Sequence, residues 1–585
     1  MKADIKAAPF NLNDEQAEWV QDTLESMTED EKVGQLFCPS ISRFNNKSIK
    51  ELTEEYKVGS MMIRPFEVKG LQDNLRKLQE SSKIPMLISA NLEAGGNGAV
   101  NEGTLFAMPE GCSATGDTVN GYRLGKICAR EAASVGVNWG FAPIVDIDMN
   151  YRNPITNIRS FGDDPDMVIE MSRGYQKAAK EEKVISTIKH FPGDGVDERD
   201  QHLLVAVNSL GYDEWMNTYG RIYKTLIEEG APAVMCGHLA QPSVAREIDP
   251  SISDEQALMP ATLSKTLMTK LLRDKLGFNG LVVTDSTLMV GFMQKMPRKK
   301  AVPLSIESGA DVFLFNRSLK EDVGYMKQGL KDGILSKERL DEAVTRILAA
   351  KASIDLNTKH KDKTIVPDGD PMQVIGSEET KKWVKECADK AVTLVKDNRN
   401  LLPLSPQKTK RIYLNVIENY VTNNSPFAKD IMSRLEKEGF EVELRKRKMD
   451  FNPNLLLKGI MTPTIIKVLK EVMTDTESFV SKYDMSMIVV NMETVSNATV
   501  VRINWKVLFG LGNDIPWYAG EMPLVVISTA NPYHLLDIPM AHTYINAYTG
   551  SRATLDAVFD KMMGRSEFKG VSPVDPFCGH EDCKL

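Results

Sequence analysis

The sequence predicts an α/β protein, an N-terminal (β/α)8 TIM-type barrel followed by a smaller C-terminal α/β/α sandwich domain. Three observations carry that expectation. Eight short apolar runs alternate with amphipathic helical stretches between residues 30 and 320. A polar stretch interrupts the pattern after residue 354, and a second, shorter alternation follows it. Strands of a parallel sheet covered on both faces read as continuous apolar runs, as these do.

In order, the runs are 35–40 (QLFCPS), 58–65 (VGSMMIRP), 85–93 (PMLISANLE) and 140–148 (GFAPIVDID). They continue at 184–191 (VISTIKHF), 232–238 (PAVMCGH), 281–286 (LVVTDS) and 311–316 (DVFLFN). Between them, 120–136 places Tyr122, Leu124, Ile127, Cys128 and Ala132 on one helical face. Further helices are expected at 165–183 and at 262–277, which ends on a glycine as helices often do. Eight strands over this span suit a closed barrel; a doubly wound open sheet is the alternative.

Residues 1–354 are therefore expected to form the barrel and 355–377, with its charges, Pro367 and Gly369, a linker. Residues 378–575 form the sandwich and 576–585 a tail. The second alternation begins with a helix over 378–395. Strands follow at 411–417, 440–446, 486–492, 523–529 and 543–548, with helices at 426–439 and 553–564.

At 585 residues the chain suits two large domains, and 42% hydrophobic with 26% charged residues is globular composition. A net charge of −8 argues against a nucleic-acid or anionic-membrane partner. No apolar run approaches the ~20 residues of a membrane span, and the opening MKADIKAAPFNLNDEQ lacks a secretory core. The seven scattered cysteines suit a reducing compartment, so a cytoplasmic location is expected. Cys578, His580 and Cys583 offer three metal ligands at unusual spacing, and a solvated tail is the favoured reading there.

Barrel enzymes carry their catalytic groups at the C-terminal ends of strands. Those ends supply Asn91 and Glu93, Asp146 and Asp148, Lys189 and His190, His238, and Asp285. A run such as VVTD, apolar and then charged, delivers its aspartate to the barrel mouth; a helix N-cap is the blander role for any one of them. The most specific segment is 189–202, KHFPGDGVDERDQH. Pro192, Gly193 and Gly195 force an irregular loop that carries Asp197, Asp200 and His202. A carboxylate two residues before an imidazole can bond one ring nitrogen and raise the basicity of the other, which suits a general acid/base. A zinc site from His190, His202 and Asp200 is the competing assignment.

With those residues in view, the chain resembles the two-domain, Asp-His dyad type of β-N-acetylglucosaminidase in glycoside hydrolase family 3. Segments 27–36 (MTEDEKVGQL), 153–165 (NPITNIRSFGDDP), 234–239 (VMCGHL), 260–264 (PATLS) and 276–286 (LGFNGLVVTDS) agree with it in order. So do 392–404 (VTLVKDNRNLLPL) and 564–574 (GRSEFKGVSPV) in the second half. The resemblance implies that Asp285 is the nucleophile of a retaining mechanism through a covalent glycosyl-enzyme. It implies that His202 is the acid/base, oriented by Asp200, which also polarises a 2-acetamido N–H. Other branches use a carboxylate from the second domain as acid/base; a neutral imidazole adds no negative charge beside the nucleophile. Arg159, Lys189 and His190 match residues that hold the sugar, and Glu93 and Asn91 fall in its binding motif. No cofactor or metal is implied.

The departures are specific. The family reads Asp-x-Glu-Gly-Gly-Arg after the third strand, whereas 91–98 is NLEAGGNG, with Asn91 for the aspartate, an inserted alanine and no arginine. Asn91 can accept and donate, so recognition of the far edge of the sugar is altered. Asp194 stands where the family often has histidine, and Gln201 where it has serine. Trp505 and Trp517 are candidates for stacking on a sugar, with core packing or a subunit contact the blander role.

The expected function is exo-hydrolysis of β-linked N-acetylhexosamine termini. The alternatives are phosphorolysis at the same site, which an uncharged His202 would tolerate, and non-catalytic sugar binding. A carbohydrate is the expected partner, and association as a homodimer stays open.

Overall fold

The computed structural model describes residues 3–585 except 42, 420–424, 446–457, 460, 462, 464–465, 467–473, 493–495, 501, 504 and 506–514. The chain divides into two compact units. The first comprises Met1–Ser113, Asp117–Val384 and the short segment Ser496–Thr499; the second comprises Ala114–Gly116, Lys385–Val495 and Val500–Leu585. The division falls inside the helix Glu378–Ala391, where the sequence reading sets its boundary ahead of that helix.

In the first unit, β1 (Phe37–Cys38 and Ser40–Ile41), β2 (Ser60–Ile63), β3 (Leu87–Ala90) and β4 (Trp139–Gly140) pair in parallel and in order. β5 (Thr187–Phe191), β6 (Ala233–Cys236) and β7 (Leu281–Thr284) form a second parallel run. Single parallel bridges, Trp139 to Ile185 and Val283 to Val312, join β4 to β5 and β7 to β8 (Phe313–Leu314). β8 pairs back to β1 through Phe37 and Phe313. Among the described residues the pairings complete a ring of eight parallel strands; each overlaps its expected run, with Ile41 and Trp139 one residue outside theirs.

The strands are shorter than the runs. Of the 140–148 run only Gly140 enters a strand, Trp139–Gly140, because Pro143 has no N–H to give a ladder; Ile144 regains one bridge to Lys189. The expected helices form at Val119–Ser134, Pro165–Glu181 and Thr266–Lys275, and a further helix spans Lys337–Ser353. The 355–377 stretch, expected to be a linker, carries the helix Leu356–Lys361 and a turn at Pro371–Gln373.

Register sets where the site lies. Thr284 pairs with Cys236, and Cys236 with Phe191, so Asp285, Gly237 and the loop after Phe191 leave the sheet at one rung. The opposite end of β7 is locked by Asp311. Its buried carboxylate accepts Val282 N–H at 2.8 Å and binds Arg273 at 2.7 Å and Arg339 at 2.6 Å. Removing one partner of such a buried cluster typically costs about 3–5 kcal/mol.

Among the described residues the second unit holds one six-stranded sheet. Its strands are β9 (Thr393–Asp397), β10 (Arg411–Glu418), β11 (Glu441–Leu444), β12 (Met485–Asn491), β13 (Leu524–Ser528) and β14 (Thr543–Asn546). They lie in the order β9-β14-β13-β12-β10-β11, parallel except for β9. Apolar clusters include one under Ile431, Leu435 and Val558 and another around Leu535, Ile538 and Cys583. The expected helix 378–395 stops at Ala391, since the β-branched Val392, Thr393 and Val395 favour a strand and β9 finds β14 to pair with. The 440–446 run is strand over Glu441–Leu444, and residue 446 lies outside the described residues.

Candidate active site

Asp285 follows directly on β7. Its N–H donates to Cys236 O at 2.8 Å and its Oδ1 accepts Ser286 N–H at 2.6 Å. The residue is 9% exposed. Burial raises its pKa, but the charges of His190, His238 and His202 and the Ser286 N–H outweigh burial and hold the carboxyl below the ordinary value. The site thus keeps a buried carboxylate ionised, as a nucleophile requires.

The loop after β5 brings the second group. Gly193 and Gly195 take φ of +117° and +110°. A Cβ at Gly195 would lie 1.8 Å from Ile147 O, so both conformation and space demand glycine there. The far end of the loop is tied down by a short parallel pairing of Ala206–Val207 with Leu239–Ala240. Between these anchors, His202 Nδ1 bonds Asp200 Oδ1 at 2.7 Å, and the same oxygen accepts His202 N–H at 2.7 Å. With Nδ1–H donating to the carboxylate, Nε2 is left to exchange a proton. Burial would lower the imidazole pKa, but the Asp200 bond and the charges of Asp285 and Asp200 raise it above the ordinary value. Val290 N–H donates to His202 O at 2.9 Å, which ties the dyad to the segment after Asp285.

A second dyad stands beside the first. His190 Nδ1 bonds Asp146 Oδ2 at 2.6 Å, and His190 Nε2 lies 3.8 Å from Asp285 Oδ2. Asp146 Oδ1 accepts the N–H groups of His190 and Asp194, at 3.0 and 2.8 Å. Sequence reasoning puts Asp146 at a strand end without pairing it to His190. The signal available was adjacency, since an aspartate ending the fourth run and a histidine ending the fifth become neighbours once those strands are consecutive. His238, buried with its pKa lowered by desolvation, lies within 2.8 Å of Thr262 Oγ1 and 3.0 Å of Ser286 O. The zinc assignment for His190, His202 and Asp200 does not match this arrangement, because among the described residues no group of His, Cys, Asp and Glu is placed to hold a metal ion.

Glu93, Arg159 and Lys189 form one cluster. Arg159 donates to both carboxylate oxygens of Glu93 at 2.9 and 3.0 Å, and Lys189 Nζ lies 2.6 Å from Oε1. Burial opposes the charge on Glu93, but the two cations prevail and hold its carboxyl far below the ordinary range. The charges of Asp146 and Asp285 also act on Arg159, which places the cluster at the same mouth. Asn91 is half-buried, and its side chain makes no hydrogen bond among the described residues.

The two loop departures prove to be partners. Gln201 Nε2 donates to Asp194 Oδ2 at 3.0 Å, and Gln201 Oε1 accepts His238 N–H at 2.8 Å. Asp194 Oδ1 accepts Asn153 Nδ2 at 2.8 Å and Gly195 N–H at 2.7 Å. Burial and the neighbouring Asp146 push the Asp194 carboxyl up to about 6. Asp197 closes the loop by accepting Val207 N–H at 2.7 Å.

Other candidates fall in the second unit. Trp505 packs on the cluster around Ile488 and Val526, and Trp517 lies 5.4 Å from the ring of Phe479. The tail is not simply solvated, because Cys583 is fully buried in the same apolar cluster and Phe577 packs against it. Among the described residues no group of His, Cys, Asp and Glu is arranged to hold a metal ion.

Residues 28–350 match the family model described as the glycosyl hydrolase family 3 N terminal domain. The whole chain is 39% identical over 584 residues to a β-N-acetylglucosaminidase/β-glucosidase of Cellulomonas fimi, covering 100% of both. A solved structure titled β-glucoside phosphorylase BglX shares 44% identity and superposes with a TM-score of 0.90, over 99% of each chain. A family 3 β-N-acetylglucosaminidase from Paenibacillus sp. FPU-7, at 21% identity and a TM-score of 0.73, covers 94% of this chain and 99% of its own and shares the fold.

Proposed function

This chain belongs to glycosyl hydrolase family 3 and is a glycoside-cleaving enzyme; from that premise we propose that it removes a β-linked N-acetylglucosamine or glucose unit from the non-reducing end, with retention. One observation carries the reading: Asp285, at the end of β7, and the Asp200–His202 dyad are brought to one mouth, the dyad closed at 2.7 Å and tied through Val290 N–H to His202 O, at 2.9 Å, to the segment after Asp285. Asp285 attacks the anomeric carbon while His202 Nε2–H protonates the departing oxygen, giving a glycosyl-enzyme and a neutral imidazole. His202 then takes a proton from the incoming acceptor as the acceptor oxygen displaces Asp285, which leaves as carboxylate. Asp200 fixes the tautomer throughout. Glu93, Arg159, Lys189, His190 and Asn91 line the mouth as the groups that hold sugar hydroxyls.

A second reading concerns the acceptor. The imidazole is neutral at the moment the acceptor arrives, so a phosphate dianion meets less repulsion than beside a second carboxylate. The 44% identity to a β-glucoside phosphorylase favours the same reading. We also propose a reducing, cytoplasmic setting, which suits the buried thiols of Cys38, Cys128 and Cys236.

The test uses 4-nitrophenyl β-glycosides that differ at C2 and C4, with and without inorganic phosphate. Release of nitrophenol with free sugar supports hydrolysis, and sugar 1-phosphate supports phosphorolysis. A 2-deoxy-2-fluoro glycoside should label the peptide containing Asp285. No turnover and no label on any glycoside would sink the assignment and leave a binding role.

A further inference from the structure

The Asp200 side chain is fully buried, and its two oxygens serve three N–H groups. Oδ1 takes both donors of His202. Oδ2 takes the backbone N–H of Asn497 at 2.7 Å. Asn497 lies 297 residues further along the chain, in the segment Ser496–Thr499 that belongs to the first unit. It adopts φ +67°, a left-handed conformation that asparagine tolerates far better than β-branched residues do. Its Nδ2 reaches back 3.3 Å to Ser496 Oγ. A left-handed turn thus presents one backbone donor to the carboxylate that orients the acid/base.

Sugars differ at C2 in the donor they bring. A 2-acetamido sugar carries an amide N–H next to the anomeric carbon, and a glucoside carries a hydroxyl. A dyad carboxylate with an oxygen open to the cavity would depend on the sugar to complete its hydrogen bonding, which rewards the amide. Here the protein supplies that N–H itself, and the buried carboxylate has no face left toward solvent.

We propose that Asn497 is a positioning residue that sets selectivity at C2: its backbone N–H occupies Asp200 Oδ2, holds the dyad in place whatever the C2 substituent, and so admits glucosides alongside N-acetylglucosaminides. The proposal rests on the glycosidase reading above. It makes the Asp200 role implied by the resemblance, polarising an acetamido N–H, conditional on the withdrawal of Asn497.

Asn497→Pro removes the donor and forbids the positive φ. Asn497→Val keeps the donor but strains the turn, and Asn497→Gly keeps both. The measurement is kcat/KM on 4-nitrophenyl β-D-glucoside and on its 2-acetamido counterpart, reported as their ratio so that general damage cancels. Asn497→Pro and Asn497→Val should lower the glucoside-to-acetamido ratio about tenfold, the scale of one hydrogen bond to a charged group. Asn497→Gly should hold it within about twofold. If Asn497→Pro fails to fold, Asn497→Val against Asn497→Gly carries the same comparison. An unchanged ratio in the folded Pro or Val variant, or an equal shift in the Gly variant, overturns the proposal. A parent enzyme that cleaves neither glycoside refutes the glycosidase reading itself, a result seen before any variant is compared.

Discussion

His190 Nε2 lies 3.8 Å from Asp285 Oδ2 while its Nδ1 bonds Asp146 Oδ2 at 2.6 Å. One ring is held between the carboxylates of Asp285 and Asp146. Asp146 fixes the ring so that Nε2 faces the Asp285 carboxylate, whose ionised form the charge of His190 favours. Asp146→Asn would turn an amide toward Nδ1, remove the anion that orients the ring and loosen His190 beside Asp285. We expect kcat/KM to fall roughly 100-fold, the scale of a misplaced positioning group, with a matching fall in 2-fluoro glycoside labelling. Labelling at the parental rate would show that the orientation of His190 does not matter.

Asp285→Asn and His202→Ala separate the two principal roles. The first should abolish the glycosyl-enzyme for every substrate. The second should lose about 10²–10⁴-fold on alkyl glycosides, whose leaving oxygen needs a proton, and far less on 2,4-dinitrophenyl glycosides. Equal losses across leaving groups in His202→Ala would remove His202 from proton transfer.

The pH profile of kcat/KM follows from the directions of two shifts. Asp285 titrates below the ordinary 3.8, so activity should persist on the acid side until its carboxylate is protonated. His202 titrates above the ordinary 6.5, and the imidazolium is the form that protonates the leaving group. Activity should therefore fall only as pH rises through that raised value. Asp200→Asn removes part of the cause and should move the alkaline limb downward while leaving the acid limb in place. An alkaline limb that stays fixed would break the link between Asp200 and His202.

The barrel's order was legible because strands buried on both faces leave an unbroken apolar mark, and Asp285 and the Asp200–His202 pair stood out as candidates because a charge ends one such strand and a carboxylate precedes an imidazole by two residues on the loop after another. Three features stayed hidden for physical reasons. The pairing of Asp146 with His190 depends on which strand ends are neighbours, not on sequence spacing. The contact of Asn497 with Asp200 joins positions 297 residues apart through a backbone N–H that any residue but proline supplies. The start of β9 merged with the preceding helix because 378–395 keeps its apolar periodicity through a β-branched stretch that only pairing to β14 resolves.

Asp194 and Gln201, which depart from the family pattern separately in sequence, act as one element in the fold, and stability should show it. Gln201 Nε2 donates to Asp194 Oδ2, a bond that favours the ionised carboxylate. Burial and Asp146 oppose that charge and push the carboxyl up to about 6. A carboxyl raised in the fold contributes stability below its unfolded value near 3.8, and that contribution fades as pH rises through about 6. Gln201→Ala strips a donor from the ionised form and strands the buried His238 N–H at any pH. The loss should be about 2 kcal/mol at pH 8, where Asp194 must carry its charge, and smaller at pH 5, where it can hold a proton. Urea unfolding of the barrel transition at the two pH values measures the difference, and an Asp194→Ala background should remove most of the pH-dependent part. Equal losses at both pH values would mean that the Gln201 amide does not serve the Asp194 charge.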